Sequence, residues 1–443
     1  MTLTQGVQGF FKVPKSRQRE PNLARIGKHN NPPRESEKRL KMNLTIFDSV
    51  LPSASALPNP VDPNSLYHAF ERVPDGRKQR GKRYPLALIC TLLLLGKLAG
   101  ETTIKGAVEW VELRERDLKK QLAWPRHFPS QATYTRALAA CDAEVLAHVI
   151  AGVILKAHAR VQKQTEETQE TLRQVAVDGK TLRGTLGHAS AHQPSVHVLS
   201  WYDPHTGVML AHRAVPHKRN EISTLADWLS PTLCKDRIIT ADALHTQRAF
   251  CADAIRFGGH YVLVAKKNQP TLLQDLETFF TDPQADAEEW EEEDTCNKGH
   301  GRLEQRRIRT TLLLNPLFER EWAGIGQAFQ VRRRVTHPYK CTQQIIYGIT
   351  SLTPAQAHPV RLLEVLRTHW HIENRLHYRR DVTLGEDASQ LRTKGAPLAL
   401  AALNGSVLAL MDWLQVSNVA SQTRRFCAKP HEALSLLLGP LQR

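Results

Sequence analysis

Val175-Ala176-Val177-Asp178-Gly179-Lys180 is a short β-branched run that delivers a carboxylate directly before a glycine, and Ile238-Ile239-Thr240-Ala241-Asp242 repeats the construction further along the chain. Each reads as a strand. An Asp at one strand end is ordinarily a turn or capping residue. Two such ends in one sheet weigh more, because parallel neighbours bring their carboxyl-end residues side by side, where open α/β sheets bind ligands.

Around these two strands the pattern is α/β. Strands are expected at 174–177, 196–201, 208–214, 237–241 and 261–265, with helical segments at 221–229 and 246–257. Three early strands in close succession can form an antiparallel meander. After Pro270 the chain turns acidic (Asp286, Glu288, Glu289, Glu291, Glu292, Glu293, Asp294) and then shows strand-like runs at 302–309, 328–335 and 344–349, a β-rich insertion. A long helical pattern follows Pro359 to about Arg380, and another spans 397–414. On the first of these, Leu362, Leu366, Trp370, Glu373, Leu376 and Arg380 recur at three- and four-residue steps, which predicts that Glu373 faces the interior. A buried carboxylate must pair or bind a cation. Arg367 or Arg380 is one available partner, a metal ion the other. Three carboxylates from two strand ends and a helix make a hard-oxygen site suited to Mg²⁺ or Mn²⁺, and two such ions support in-line phosphoryl transfer.

Charge points to the substrate. The chain of 443 residues has 60 Lys+Arg against 44 Asp+Glu, a formal charge of +16, which favours polyanionic partners, above all nucleic acid. The excess is uneven. Before Met42, Lys12, Lys15, Arg17, Arg19, Arg25, Lys28, Arg34, Lys38, Arg39 and Lys41 face only Glu20, Glu35 and Glu37, and further clusters stand at 77–83 and 332–334. Residues 1–60 read as a flexible basic arm and 61–162 as an all-helical N-terminal domain. The helices are expected at 66–73, 86–98 and 104–118, with a pair after the N-cap candidate Ser130. Such a domain either reads DNA or serves as a dimerising scaffold. Residues 163–270 begin the catalytic domain, 271–350 form the insertion, 351–415 complete the domain and 416–443 are a tail.

The seven cysteines are scattered without a CxxC, so neither a disulfide framework nor a thiolate zinc site is suggested, and a reducing cytoplasm fits. His188, His192, His197, His205, His212 and His217 lack a fixed metal spacing, and no GxxxxGK[ST] loop is present. The apolar runs 86–95 and 398–410 are interrupted by Gly96-Lys97 and by Asn404-Gly405-Ser406, so no membrane partner is expected.

Five ordered segments carry a family resemblance: Val175-Ala-Val-Asp-Gly-Lys-Thr-Leu-Arg-Gly184, Thr240-Ala-Asp-Ala-Leu-His-Thr-Gln247, Tyr261-Val-Leu-Val-Ala-Lys-Lys-Asn-Gln269, His300-Gly-Arg-Leu-Glu304, and His369-Trp-His-Ile-Glu-Asn-Arg-Leu-His377 through Glu386-Asp387. With Pro129-Ser130 upstream, the chain resembles the DDE transposases of bacterial insertion sequences, in their H-repeat-associated branch. The resemblance implies a ribonuclease-H-like mixed sheet flanked by helices, with a β-rich insertion before the last catalytic helix. It implies that Asp178, Asp242 and Glu373 are the catalytic, metal-holding triad. It further implies metal-dependent cleavage of double-stranded DNA at element ends and attack of the freed 3′-hydroxyl on target DNA, by a homo-oligomer. Related proteins carry a Tyr, Arg, Glu, Lys signature on the last catalytic helix; Leu366, His369 and Arg380 stand at the Tyr, Arg and Lys positions here. Lys180, Arg183, Lys266, Lys267, Asn268, Arg367 and Arg380 are the expected DNA contacts, although Lys180, Arg183 and the 266–269 turn read equally well as solvated. A DNA-binding remnant without catalysis, or a simple nuclease of the same fold, are the rival readings.

Overall fold

In the computed structural model, which describes residues 62–164, 172–186, 195–216, 221–282, 290–299 and 301–442, the strand carrying Asp178 is β1 (Arg173–Thr181). Antiparallel to it runs β2 (His197–Asp203), and β3 (Val208–Val215) completes the expected meander. On its other side β1 pairs in parallel with β4 (Arg237–Ala241), and β4 with β5 (His260–Ala265). The register sets Val177 opposite Ala241, so Asp178 and Asp242 each follow the last residue of the β1–β4 pairing; β1 itself does not end at Val177 as expected but pairs with β2 as far as Thr181, which leaves Asp178 inside the strand and only Asp242 beyond the end of its own. Every residue of β2 is buried, because helices cover both faces of this part of the sheet.

The sheet does not stop at β5. Four further strands, β6 (Glu291–Gly299), β7 (Arg302–Thr311), β8 (Gln327–His337) and β9 (Lys340–Thr350), form an antiparallel meander whose last member joins β5. One nine-stranded mixed sheet results, in the order β3-β2-β1-β4-β5-β9-β8-β7-β6. Three of the four added strands stand where β-branched runs predicted them. The end of the acidic run, Glu291 to Asp294, instead opens β6, which has almost no buried face. Its side chains are held by cross-strand ion pairs, Arg307 Nη2 to Asp294 Oδ2 at 2.7 Å and Arg309 to Glu292.

The N-terminal region contributes α1 (Leu66–Glu71), α2 (Leu86–Leu98), α3 (Ile104–Glu112), α4 (Glu115–Leu122), α5 (Gln131–Ala140) and α6 (Ala143–Gln164). The segment expected at 104–118 is thus two helices, parted at Leu113-Arg114, where Arg114 leaves helical geometry and its guanidinium stacks 4.3 Å from the Trp110 ring. Ser130 does occupy the N-cap of α5, but its hydroxyl meets Thr133 Oγ1 at 3.4 Å and caps no backbone N–H. Between the strands lie α7 (Glu221–Trp228), α8 (Pro231–Cys234), α9 (Arg248–Arg256), α10 (Pro270–Thr281) and α11 (Asn315–Phe318). Then follow α12 (Pro359–His369), α13 (Tyr378–Val382), α14 (Ala396–Trp413), α15 (Val419–Ala428) and α16 (Pro430–Leu438).

Helices α6 and α14 pack together and against β3, so the N-terminal helices and the sheet share one continuous apolar core. Helix α14, despite Asn404-Gly405-Ser406 in its middle, is long and apolar enough to cross a membrane, yet 89% of its apolar window is buried inside the body, and that burial explains its hydrophobicity. A second, smaller core of Ile238, Val262, Ile308, Phe329, Val331, Leu362, Leu363 and Val365 fixes α12 on the face of the sheet between β4 and β8. The basic arm 1–60, the 165–171 part of the linker, and His188, His192 and His217 lie outside the described residues.

Candidate active site

The long helix expected from Pro359 to Arg380 is broken. Helix α12 ends at His369, a π-helical turn occupies Ile372–His377, and α13 resumes at Tyr378. A π turn holds more residues than an α turn and so shifts the phase of everything after it; such turns concentrate at functional sites. The predicted interior stripe fails in its middle, at Trp370 just before this turn and at Glu373 within it, and holds again at Leu376 and Arg380. Leu362, Leu376 and Arg380 are buried, whereas Trp370 is 61% exposed and the Glu373 side chain 57% exposed. Glu373 consequently opens toward solvent beside β1 and is not an enclosed carboxylate.

There it meets Asp178. His377, one turn beyond Glu373 and itself buried, places Nδ1 3.3 Å from Asp178 Oδ2 and 3.2 Å from Glu373 Oε2. One ligand-type atom from each of these three residues lies within 4.8 Å of the other two. Burial disfavours the charged imidazole, but the hydrogen bonds to Asp178 and Glu373 outweigh it and the His377 pKa is raised. The same hydrogen bond from His377 holds the Glu373 carboxyl below the usual carboxylate range. His377 stood inside the resembling segment without a role. Its spacing, four residues after Glu373, was the signal that could have found it.

Asp242 is the adjacent strand end, but it does not belong to that three-residue group. Its Oδ1 accepts from the Ala243 amide at 2.7 Å and from Lys266 Nζ at 3.3 Å, and more than half of its side chain is exposed. The structure thus gathers Asp178 and Glu373 with His377 and sets Asp242 beside them, paired to a lysine.

Two contacts lock the Glu-bearing segment to the strands. Gln174, fully buried on β1, donates from Nε2 to the Val365 carbonyl at 2.8 Å, and His369 Nδ1 lies 2.9 Å from Thr240 Oγ1 on β4. Burial lowers the His369 pKa, so this ring works as a neutral brace at the position where the family signature has an arginine.

Models of two families match this chain: the one described as "Transposase DDE domain" over residues 169–402, and the one described as "DDE_Tnp_1-associated" over residues 67–153. The chain belongs to the DDE transposase family. An uncharacterized protein from the dhlA 3′ region of Xanthobacter autotrophicus is 30% identical over 305 residues, 68% of this chain and 97% of that one. The Escherichia coli K12 protein named "H repeat-associated putative transposase YhhI" is 28% identical over 228 residues, and this chain spans only 59% of its length. "Putative transposase YncI" of Escherichia coli O157:H7 is 25% identical over 359 residues, 78% of this chain and 87% of that one. Among solved structures, a piggyBac transposase synaptic complex with hairpin DNA aligns over 87% of this chain and 84% of that one at 11% identity, with a TM-score of 0.38, which supports nothing further.

The basic residues expected to touch DNA divide into two sets. Arg183, Lys266, Lys267 and Arg367 of the transposase are exposed, and Asn268 is exposed with its amide donating to the Ala243 carbonyl at 2.6 Å, so that it braces the turn after Asp242. Lys180 is 8% exposed, with Nζ 2.5 Å from Asp381 Oδ2 and 3.7 Å from Asp387 Oδ1. Arg380 is fully buried, donating to Glu386 from Nε at 3.0 Å and from Nη2 at 2.5 Å, while Asn404 Nδ2 donates to the same carboxylate at 2.8 Å. In this arrangement Arg380 has no path to a phosphate, because a guanidinium and a carboxylate buried together must satisfy each other.

Proposed function

We propose that this transposase cleaves double-stranded DNA at the ends of its element and joins the freed 3′-hydroxyl to target DNA, with Asp178, Asp242 and Glu373 as the catalytic carboxylates. The strand order β3-β2-β1-β4-β5 supports a ribonuclease-H-like core, with β6 to β9 as the insertion. The observation that carries the reading is the approach of Asp178, Glu373 and His377 where the β1–β4 pairing ends, next to Asp242.

These residues suit a divalent cation. Ligand-type atoms of Asp178, Glu373 and His377 lie within 4.8 Å of one another, and carboxylate oxygens are the donors that Mg²⁺ and Mn²⁺ prefer. Asp178 and Glu373 would hold the ion, with Asp242 as the third carboxylate once it releases Lys266. One or two bound Mg²⁺ or Mn²⁺ ions supply the positive charge that phosphoryl transfer needs at the attacking and leaving oxygens. The chain's own residues do the rest. His377 Nδ1 holds a proton between two carboxylates that would otherwise repel each other. Lys266, exposed beside Asp242, is placed to meet the backbone of an incoming strand, and Arg183, Lys267 and Arg367 supply further positive charge. Two DNA ends require two such sites, which supports a homo-oligomer on DNA.

The test is incubation of purified protein with element-end DNA and Mg²⁺ or Mn²⁺, comparing wild type with Asp178→Asn, Asp242→Asn and Glu373→Gln. Metal-dependent cleavage and joining, lost in all three variants, is the expected result. Binding without cleavage identifies a DNA-binding remnant, and cleavage without joining a nuclease.

A further inference from the structure

Behind the strand ends lies a buried polar knot that the proposed chemistry does not use. Glu221, the first residue of α7, is 7% exposed and accepts from two imidazoles, with Oε2 2.7 Å from His197 Nε2 and Oε1 2.9 Å from His245 Nε2. His197 and His245 are buried as well, and His197 Nδ1 lies 3.0 Å from Thr181 Oγ1. Burial alone would raise the Glu221 pKa, but the two histidine hydrogen bonds hold it down to about 2. A carboxylate and two imidazoles taken out of water cost several kcal/mol that an apolar trio of similar volume would not.

Its placement gives the knot a task. Thr181 and Gly179 follow Asp178 on β1, and their side-chain directions fall on the sheet face opposite to that of Gln174 and Asp178. Gln174 reaches α12, so the knot grips β1 from the far side of the sheet. A Cβ at position 179 would sit 2.6 Å from His197 Nε2 and 2.9 Å from both Glu221 carboxylate oxygens, which explains why glycine follows the first catalytic carboxylate. The other arm, His245, closes the 3₁₀ turn that starts at Asp242, its amide donating to the Asp242 carbonyl at 2.8 Å. One carboxylate is thereby tied, through Thr181 and His245, to the segments that follow Asp178 and Asp242, each contact three residues beyond its aspartate.

We propose that Glu221, through His197 and His245, is a positioning residue that fixes the spacing of Asp178 and Asp242, a role that rests on the catalytic reading above. Glu221 touches neither DNA nor the reacting atoms. Displacements of about 1 Å in a reacting constellation cost on the order of 100-fold in rate, and the knot ties the segments that follow both aspartates to one carboxylate.

The experiment uses the full-length protein and the variants Glu221→Ala, Glu221→Gln and His245→Gln. It measures Mn²⁺ binding by calorimetry, thermal stability, and kcat and KM for element-end DNA. The expected result for Glu221→Ala is a fall in kcat of about 10- to 100-fold and weaker Mn²⁺ binding, with KM for DNA within about twofold of wild type. Glu221→Gln, whose amide can still accept from one ring and donate to the other, should recover most of the loss. His245→Gln gives a second handle if Glu221→Ala fails to fold. Wild-type Mn²⁺ binding and kcat in a variant whose melting temperature has dropped would overturn the proposal, leaving the knot a packing element only. A wild-type protein that neither binds Mn²⁺ nor cuts DNA would instead remove the catalytic reading on which the proposal rests.

Discussion

Arg380→Met discriminates between a DNA-contacting and a structural role for this guanidinium. Arg380 is fully buried against Glu386, whose side chain is 4% exposed, and Asn404 is the carboxylate's other donor. Removing one member of a buried pair strands the other's charge at a cost of about 3–5 kcal/mol. At roughly 2 °C per kcal/mol for a body of this size, the melting temperature should fall by about 6–10 °C. The double variant Arg380→Met/Glu386→Gln removes the stranded charge while leaving Asn404 an acceptor, and should lose less than half as much. The pH dependence carries the same signature. Burial would raise the Glu386 pKa, but Arg380 and Asn404 outweigh it and hold it below its ordinary 4.5, so this contribution is complete above pH 4.5 and is lost as pH falls through the depressed value. Circular-dichroism melts give the stability, and fluorescence anisotropy with duplex DNA at a temperature where both proteins are folded gives the affinity. An unchanged melting temperature together with a tenfold weaker DNA affinity would refute the reasoning, because it would mean that Arg380 leaves Glu386 to contact phosphate.

Lys97 is buried in α2 with Nζ donating to the Thr102 carbonyl at 2.6 Å, and burial lowers its pKa from 10.5 to about 8. Between those values the unfolded chain binds the extra proton, so stability should rise with pH by about 3 kcal/mol across the window, and urea melts of Lys97→Met should lack that rise. Gly179→Ala should cost about 1–3 kcal/mol in the same assay, since the new Cβ overlaps His197 and Glu221; an unaltered midpoint would contradict the packing described. Lys267→Ala, at an exposed position next to Lys266 in the turn after β5, should weaken DNA binding and reduce the slope of log affinity against log salt by about 1, whereas an unchanged slope would place Lys267 off the DNA path.

The sheet's centre was legible because its strands obey local rules. β-branched runs leading to Asp178 and Asp242 need both faces covered, and the parallel pairing of β1 with β4 puts the two aspartates side by side where that pairing ends, although β1 itself runs on to Thr181 against β2, which the sequence did not announce. Strand β6 broke those rules. Its residues are acidic and largely exposed, and what makes it a strand is the arginines of β7 across from it, a pairing that hydrophobic periodicity does not register. The helix carrying Glu373 was legible as helix and misread in phase, because a strict three- and four-residue stripe assumes α geometry through a stretch that takes a π turn. Arg380 was read as a phosphate contact because its partner Glu386 lies beyond the end of α13, where helical spacing says nothing about contact. The knot of His197, Glu221 and His245 joins three separate elements, and only the fold brings its members together.

The central claim is that Asp178, Asp242 and Glu373 hold divalent cations while DNA is cut. Anomalous diffraction from crystals of the transposase with element-end DNA, soaked in Mn²⁺, tests it most directly. The account predicts a manganese peak within coordinating distance of Asp178 and Glu373, with Asp242 drawn from Lys266 toward it. Saturating Mn²⁺ that leaves these carboxylates without a peak, while DNA is seated over them, would contradict it.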